Sequence, residues 1–414
     1  MSSFAHLHVH TEYSMLDGAA RVADLVTEVA RQEMPAIAMT DHGNVFGAFD
    51  FYKQATKAGV KPIIGIEAYV APESRHDKKR VQWASGGDDD VSGGGAYTHM
   101  TILAENNHGL KNLFRLSSLA SLEGYYYKPR MDRELLSQYA DGLIATTGCP
   151  GGEIQTRLRM GNYKEALRAA SDYRDIFGAH NFFLELMDHG IDVETRVKDD
   201  LLKLGRELKL PLLATNDLHY TRHADAAAHE ALLCVQSGST LADPKRFKFD
   251  NDEFYLKTPS QMRELFKDLP EACDNTLLIA ERCNVTLREG ENLMPAFAVP
   301  AGESEVGFTG SSSNVISAVQ QIRDRFIGQS LAAVLLLTDG LDSSGLGASM
   351  NLQAGTPIHT FELEKEFVLP EKPRKVSLTA LDAPGRVVAG WDAEVRASIV
   401  ANGMSGKTVS VELW

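Results

Sequence analysis

The sequence predicts an α/β fold, barrel-like, of strands alternating with helices, over about its first 220 residues. Two observations predict it. Short apolar runs alternate with amphipathic stretches of helical period, and residues of metal-ligating type stand at the ends of those runs. In an α/β barrel those ends are where the functional loops gather.

His8-Val9-His10 opens the series. Alternate residues of a strand share a face, so histidines two apart can meet one ion. Val22, Leu25, Val26 and Val29 then fall at helical spacing, and Pro35 ends that helix. Ala36 to Met39 reads as a strand running into Asp41-His42, followed by a helix over about 47–58 and a strand over 62–70 that carries Glu67. Residues 75–95, with Asp88-Asp89-Asp90 and Gly93-Gly94-Gly95, read as a flexible surface insertion. Strands are expected at 97–104, 143–146, 182–186 and 212–215, all in a parallel sheet, with helices at 163–177 and 194–208. The last strand leads into Asp217-Leu218-His219.

Residues 223–297 read as a helical connector with segments at 224–235, 260–266 and 270–283, interrupted by the extended pieces Phe247-Lys248-Phe249 and Glu253-Phe254-Tyr255-Leu256. The barrel itself is assigned to 1–222. A Gly- and Ser-rich seam at 298–313 separates these from a helix at 315–326 and a strand at 332–337. Alternation from Val376 onward, and again in Val409-Ser410-Val411-Glu412-Leu413, suggests antiparallel strands in a tail over 374–414.

Composition narrows the functional classes. The 414 residues suffice for two or three domains. No apolar run approaches the ~18–20 residues that span a bilayer, and the N-terminus has no signal pattern, so a cytoplasmic enzyme without membrane partners is expected. Four scattered cysteines cannot staple a chain of this size. Cys149 stands apart in a Gly-Cys-Pro-Gly-Gly turn after a strand-like run. The net charge of -14 argues against a tight grip on a long duplex by this chain alone, because such binding rests on Lys and Arg neutralising phosphates.

The candidate ligands are His8, His10, Asp17, His42, Glu67, His99, Cys149, Asp217 and His219. They exceed what one ion of roughly four to six ligands can use, so two or three divalent ions are expected. Glu67 and Asp217 are suited to bridging, since a carboxylate can offer one oxygen to each of two ions. Imidazole with carboxylate suits Zn, Mn or Fe better than Mg. Two ions about 4 Å apart are machinery for cleaving phosphate esters. His6 shares the face of His8 and His10 but lies a step too far back. His76, His108, His180, His189, His223 and His229 read as surface or packing residues.

His8-Val9-His10-Thr11 with Tyr13-Ser14 and Leu16-Asp17-Gly18, then Thr40-Asp41-His42-Gly43-Asn44, and Asn216-Asp217-Leu218-His219-Tyr220, resemble the polymerase-and-histidinol-phosphatase (PHP) domain. Glu12-Tyr13-Ser14, Gly65-Ile66-Glu67-Ala68-Tyr69 and the stretch from Phe249 to Lys257 are similar to the form found in bacterial replicative DNA polymerase III alpha subunits. The resemblance covers about residues 1–297. It implies a distorted (β/α)7 barrel with up to three metal ions, and a complete ligand set implies a 3′→5′ proofreading exonuclease. The three groupings it implies are His8, His10, Glu67 and Asp217; Glu67, His99 and Cys149; and Asp17, His42 and His219. His10, Glu67 and Asp217 would be central to catalysis, and Asp41 would orient a ligand from behind. The DNA 3′ end would be the substrate, with a polymerase core and sliding clamp as partners. Two rival readings stay open, a small-molecule phosphatase and a non-enzymatic metal-binding scaffold.

The tail departs from that family. Leu335-Leu336-Leu337-Thr338-Asp339-Gly340 with Gly355 to Phe361 is similar to the second half of a von Willebrand factor A domain, over about 314–373. That family's Asp-x-Ser-x-Ser loop is missing; Ser311-Ser312-Ser313 lacks the Asp, and Asp339 reads as a turn residue. Beyond about Arg374 the chain resembles the start of an immunoglobulin-like sandwich. No polymerase palm, fingers or thumb segment follows residue 297, so the chain is expected to join a PHP-type segment to an unrelated tail.

Overall fold

A computed structural model describes residues 3–81 and 92–289, together with four short strands farther along the chain. The chain divides into two compact units, Met1–Asn292 and Leu293–Trp414.

The first unit opens with an irregular N-terminal segment and α1 (Val22–Arg31), whose buried face is the predicted Val22, Leu25, Val26 and Val29. It continues through β1 (Ala36–Met39), α2 (Ala48–Lys57), β2 (Lys61–Val70), β3 (Thr98–Ala104), α3 (Asn107–Leu122), β4 (Arg130–Met131) and α4 (Arg133–Tyr139). Then come β5 (Leu143–Thr146), α5 (Glu153–Arg159), α6 (Tyr163–Phe177), β6 (Phe182–Leu186), α7 (Asp192–Thr195), α8 (Lys198–Leu208) and β7 (Leu212–Ala214). The helices α9 (Ala226–Ser237), α10 (Pro259–Leu265) and α11 (Pro270–Arg282) complete it.

The seven strands form one sheet in the order β1-β2-β3-β5-β6-β7, with β4 beside β2. The N-terminal segment joins its two edges. His6 bridges Ile37 of β1, Val9 bridges Leu218 beyond β7, and the His10 N–H donates to the Leu218 carbonyl at 2.7 Å.

The expectation of a wholly parallel sheet is corrected here. β3 runs antiparallel to both β2 and β5, while the other main pairings are parallel. This reversal matters for function, because it brings the start of β3, where His99 lies, to the end of the barrel at which the parallel strands finish. The helix expected over 194–208 is two helices, interrupted at Arg196-Val197. Helices α3, α4 and α5 were not anticipated.

Strand residues alternate between two apolar clusters, as a pleated sheet requires. Ile37, Met39, Ile64, Ile66, Ile102 and Leu184 face the helical layer. Ala36, Ala38, Ile63, Leu103, Ile144, Phe183 and Leu213 face the interior with Ile279, Ala280 and Cys283 of α11. This places α11 as a plug across one end of the barrel. Polar ties fix it there: Lys61 Nζ donates to the Ala280 carbonyl at 2.6 Å, and Asn275 Nδ2 to the Leu212 carbonyl at 2.7 Å. A fully buried Ile or Phe in such a plug contributes about 1.5–3 kcal/mol.

In the second unit β8 (Val334–Thr338) pairs in parallel with β9 (Ile358–Glu362), and β10 (Val376–Asp382) pairs antiparallel with β11 (Arg396–Ala401). The expected helix at 315–326, the seam at 298–313, Ser311-Ser312-Ser313, Asp339, residues 82–91 of the 75–95 insertion and the 409–413 strand lie outside the described residues.

Candidate metal centre

All nine candidate ligands converge at the end of the barrel opposite α11. His8 and His10 come from the N-terminal segment, Asp17 from the turn after it, and His42 from the end of β1. Glu67 lies inside β2, His99 begins β3, Cys149 follows β5, and Asp217 and His219 follow β7. Glu67 sits at the centre. Its Oε1 is 3.4 Å from His8 Nε2, 3.0 Å from His99 Nδ1 and 3.2 Å from Cys149 Sγ. Its Oε2 lies 2.6 Å from His42 Nδ1 and 3.6 Å from His10 Nε2. Asp217 Oδ1 is 3.1 Å from His10 Nε2 and 3.4 Å from His8 Nε2. Asp17 Oδ2 stands 3.2 Å from His42 Nε2, and the His219 ring stacks 4.3 Å from that of His10.

Within this cluster three sets of atoms are close enough to share an ion: His8, His10 and Asp217; His42, Glu67 and His99; and His10, His42 and His219. The donor set fits divalent cations. His8 Nε2, His10 Nε2, His42 Nδ1, Glu67 Oε2 and Asp217 Oδ1 are all buried, and although they face one another at 2.6–3.6 Å none of these approaches has hydrogen-bond geometry. Imidazole nitrogens and carboxylate oxygens crowded together in this way, without the hydrogen bonds that would satisfy them, are a donor set that suits a divalent cation.

Backbone geometry holds the cluster open. Asp217 has φ of 42°, a left-handed conformation that a non-glycine residue adopts at a cost and that recurs at functional sites. Gly43 has φ of +64°, and a Cβ there would lie 2.8 Å from the Tyr69 ring. That close approach lets Tyr69 pack beside His42, with ring centroids 5.8 Å apart.

Residues 6–189 match the PHP domain. The relatives agree with the match. The chain is 57% identical over 313 residues to DNA polymerase III subunit alpha of Mycobacterium leprae, covering 74% of this chain and 27% of the relative. It is 63% identical over 289 residues to the same subunit of Saccharopolyspora erythraea, covering 67% and 24%. The chain thus spans about a quarter of the length of the curated relatives it matches, and its first unit is homologous to their N-terminal region. Among solved structures, one described as a metal-dependent phosphoesterase from Bifidobacterium adolescentis has a TM-score of 0.32 and 14% identity, covering 64% of this chain and 96% of that one. A likeness at that level says nothing about chemistry here.

Behind the candidate ligands, the PHP domain carries supporting residues that the ligand search missed. Glu185, fully buried in β6, accepts from His8 Nδ1 at 2.7 Å, and its remaining lone pairs are taken by the hydroxyls of Thr101, Thr146 and Thr215. The signal was present in the sequence: Glu185 is the one charged residue in Phe182-Phe183-Leu184-Glu185-Leu186. Ser14 is the second. Its hydroxyl donates to Asp41 Oδ1 at 2.7 Å, so it accepts from His10 Nδ1 at 3.1 Å. Asp41 therefore acts from behind, as expected, but its hydroxyl relay reaches His10. Both histidines thereby carry hydrogen on Nδ1 and keep the Nε2 lone pair for a ligand. His219 does the same through the Asp217 carbonyl at 2.8 Å.

The other histidines are accounted for separately. His6 Nε2 is spent on the Lys257 carbonyl at 2.8 Å, and burial pulls its pKa down to about 4. His189 is tied at both nitrogens, to Glu194 and to the Asn216 carbonyl. His229 bonds the Asp17 carbonyl at 2.9 Å. His223 groups with Asp252 and Glu253 on the exposed surface.

Electrostatics agree with a cation site. Burial, then the neighbouring His42 and His219, holds the His10 pKa at about 3, so its lone pair is available. Burial opposes charge on His8 and His42, yet the surrounding carboxylates outweigh it and raise both well above the usual histidine range. Burial would also raise the Glu67 pKa, but His99, His42 and His8 pull it well below the carboxylate norm. Charged imidazoles occupy the role that divalent ions would fill. Burial and then Glu67 push the Cys149 thiol up, so only a nearby cation would make it a thiolate.

Proposed function

We propose that the PHP domain is a metal-dependent phosphoesterase that removes nucleotides from the 3′ end of DNA, as a proofreading exonuclease. The observation that carries the metal-dependent part is the set of five buried imidazole and carboxylate atoms around Glu67 and Asp217 that face one another without hydrogen-bond geometry. The homology to polymerase III alpha subunits supports the choice of DNA.

In this reading His8, His10, Glu67 and Asp217 hold one ion, Glu67, His99 and Cys149 surround a second, and Asp17, His42 and His219 complete a third. Two or three divalent ions, Zn or Mn, would supply Lewis acidity, lowering the pKa of water near neutral pH and offsetting charge on phosphoryl oxygens. The protein's own contribution is preorganisation. Glu185 and Ser14 fix the tautomers of His8 and His10 before substrate arrives. Glu67 and Asp217 each face two or more imidazoles, so either can bridge neighbouring ions. The chain would act in the cytoplasm beside a polymerase core and sliding clamp; no described helix is long and apolar enough to cross a membrane.

The test is direct. Full-length chain with added Mn or Zn should release mononucleotides from a labelled single-stranded or mismatched 3′ end, and Asp217→Asn should not. No release by the unaltered chain overturns the reading. Hydrolysis of phosphomonoesters without action on oligonucleotides would favour the small-molecule phosphatase instead, which the net charge of -14 supports. In the second unit, the parallel pairing of β8 with β9 supports a von Willebrand A-like segment over 314–373, and the β10–β11 pair a sandwich-like tail.

A further inference from the structure

One segment of this acidic chain has an opposite character, and it lies against the candidate metal centre. Residues 245–249 read Lys-Arg-Phe-Lys-Phe. The Phe249 ring stands 4.8 Å from the ring of candidate ligand His219 and 4.5 Å from Phe254. Phe247 packs edge-on to Phe249 at 6.3 Å and keeps 54% of its surface exposed. Arg246 is committed to Glu230, whereas no carboxylate among the described residues pairs with Lys245 or Lys248. Lys248 and Phe249 also line, with His229, Asn251 and the carboxylates of Glu230, Asp250 and Asp252, a cavity of about 220 Å³.

We propose that residues 245–249 form a binding platform for an unpaired DNA strand, with Phe247 stacking on a base and Lys245 and Lys248 meeting phosphates. The platform delivers the strand end to the metal centre beside His219, and the proposal rests on the phosphoesterase reading for that destination. Interleaved aromatic and basic side chains are what sequence-tolerant recognition of single strands uses, since every base has a π-face. A duplex fits poorly, because its bases are already stacked and its phosphates need more positive charge than this chain offers. Asp243 and Asp250 flank the segment, so the electrostatic hold is modest and stacking must carry a large share.

The experiment is fluorescence anisotropy with the full-length chain and a short fluorescein-labelled oligodeoxythymidylate ending in non-hydrolysable linkages. Phe247→Leu should weaken binding about tenfold, while Phe247→Trp keeps it, as expected for base stacking. Lys248→Ala should lower the slope of log affinity against log salt by about 0.7, one phosphate contact on a single strand. Lys111→Ala, on the exposed face of α3, should change nothing. Binding by F247L and K248A within twofold of the unaltered chain overturns the proposal, and a loss in F247W equal to that in F247L removes the stacking role. Nucleotide release separates the two readings. Oligonucleotide binding that depends on Phe247 without any release sinks the phosphoesterase alone, and release with Phe247-independent binding sinks the platform alone.

Discussion

The two ends of the barrel are built from the same strands and do opposite things. At the floor, Ile63, Leu103, Ile144, Phe183 and Leu213 point inward onto Ile279 and Ala280 of α11. Two residues along the same strands, the inward positions become Gly65, Thr101, Thr146, Glu185 and Thr215, and the three hydroxyls all serve Glu185. Two further along, in β2, β3 and after β7, stand Glu67, His99 and Asp217. Along each strand the period of two thus steps from an apolar layer to a hydroxyl-and-carboxylate layer to a layer of candidate ligands, staggered between neighbouring strands so that Glu67 lies opposite Thr101. The first is wholly apolar, the last gathers the candidate ligands, and the middle layer ties one to the other through the Glu185–His8 hydrogen bond.

The largest separation between the ends should come from breaking one of each. Asp217→Ala removes a ligand shared by two histidines, and should cut nucleotide release at least a hundredfold while metal analysis shows lost ions. Phe183→Ala opens a cavity on the floor and should lower the unfolding free energy by about 3–5 kcal/mol, read as an earlier thermal melt, with metal content per folded molecule retained. If F183A sheds metal as fully as D217A, the layers are not independent.

How much of this was legible follows the same layering. The apolar runs announced β1, β2, β5, β6 and β7, and histidine or carboxylate at their ends announced the candidate ligands. Strand direction was not legible, because a period of two is the same for parallel and antiparallel strands; the reversed β3 had to be seen. Helix α3 escaped because its capping residue, Asn106, accepts from the His108 and Gly109 backbone in a stretch rich in Asn, His and Gly that reads as loop. Glu185 escaped because ligands were sought at strand ends and it lies inside one. The lesson is specific: a single carboxylate inside a wholly buried strand has to be paired, and its partner is a place to look for function.

The middle layer gives an intermediate effect. Glu185→Gln keeps the shape and can still bond to hydroxyls, but it removes the charge that fixes His8 Nδ1–H. Loss of such a partner typically weakens metal binding about 10- to 100-fold. Titration of the chelated protein with Zn should show that weakening with little change in melting temperature. An unchanged affinity would assign Glu185 to folding and detach the middle layer from the centre.

The smallest effect is one of pH, and its sign follows from the imidazoles. In the metal-free protein the carboxylates raise the pKa of His8 and His42 above the usual range. A group whose pKa is higher folded than unfolded lends stability that is present at low pH and lost as pH rises through its folded value. Raising the pH from about 7.5 toward alkaline values, above the range in which the lowered pKa values of His6, His10 and His229 make stability rise with pH, should therefore lower the melting temperature of chelated protein by a few degrees, of the order expected for ~1 kcal/mol. With Zn or Mn bound the same carboxylates are neutralised without protons, so the loaded protein should lack that decline. Metal should bind more tightly as pH rises, because His8 and His42 must shed a proton first. A chelated protein that is equally stable across this range would mean that the ligand layer contributes nothing to the fold, leaving stability wholly to the floor.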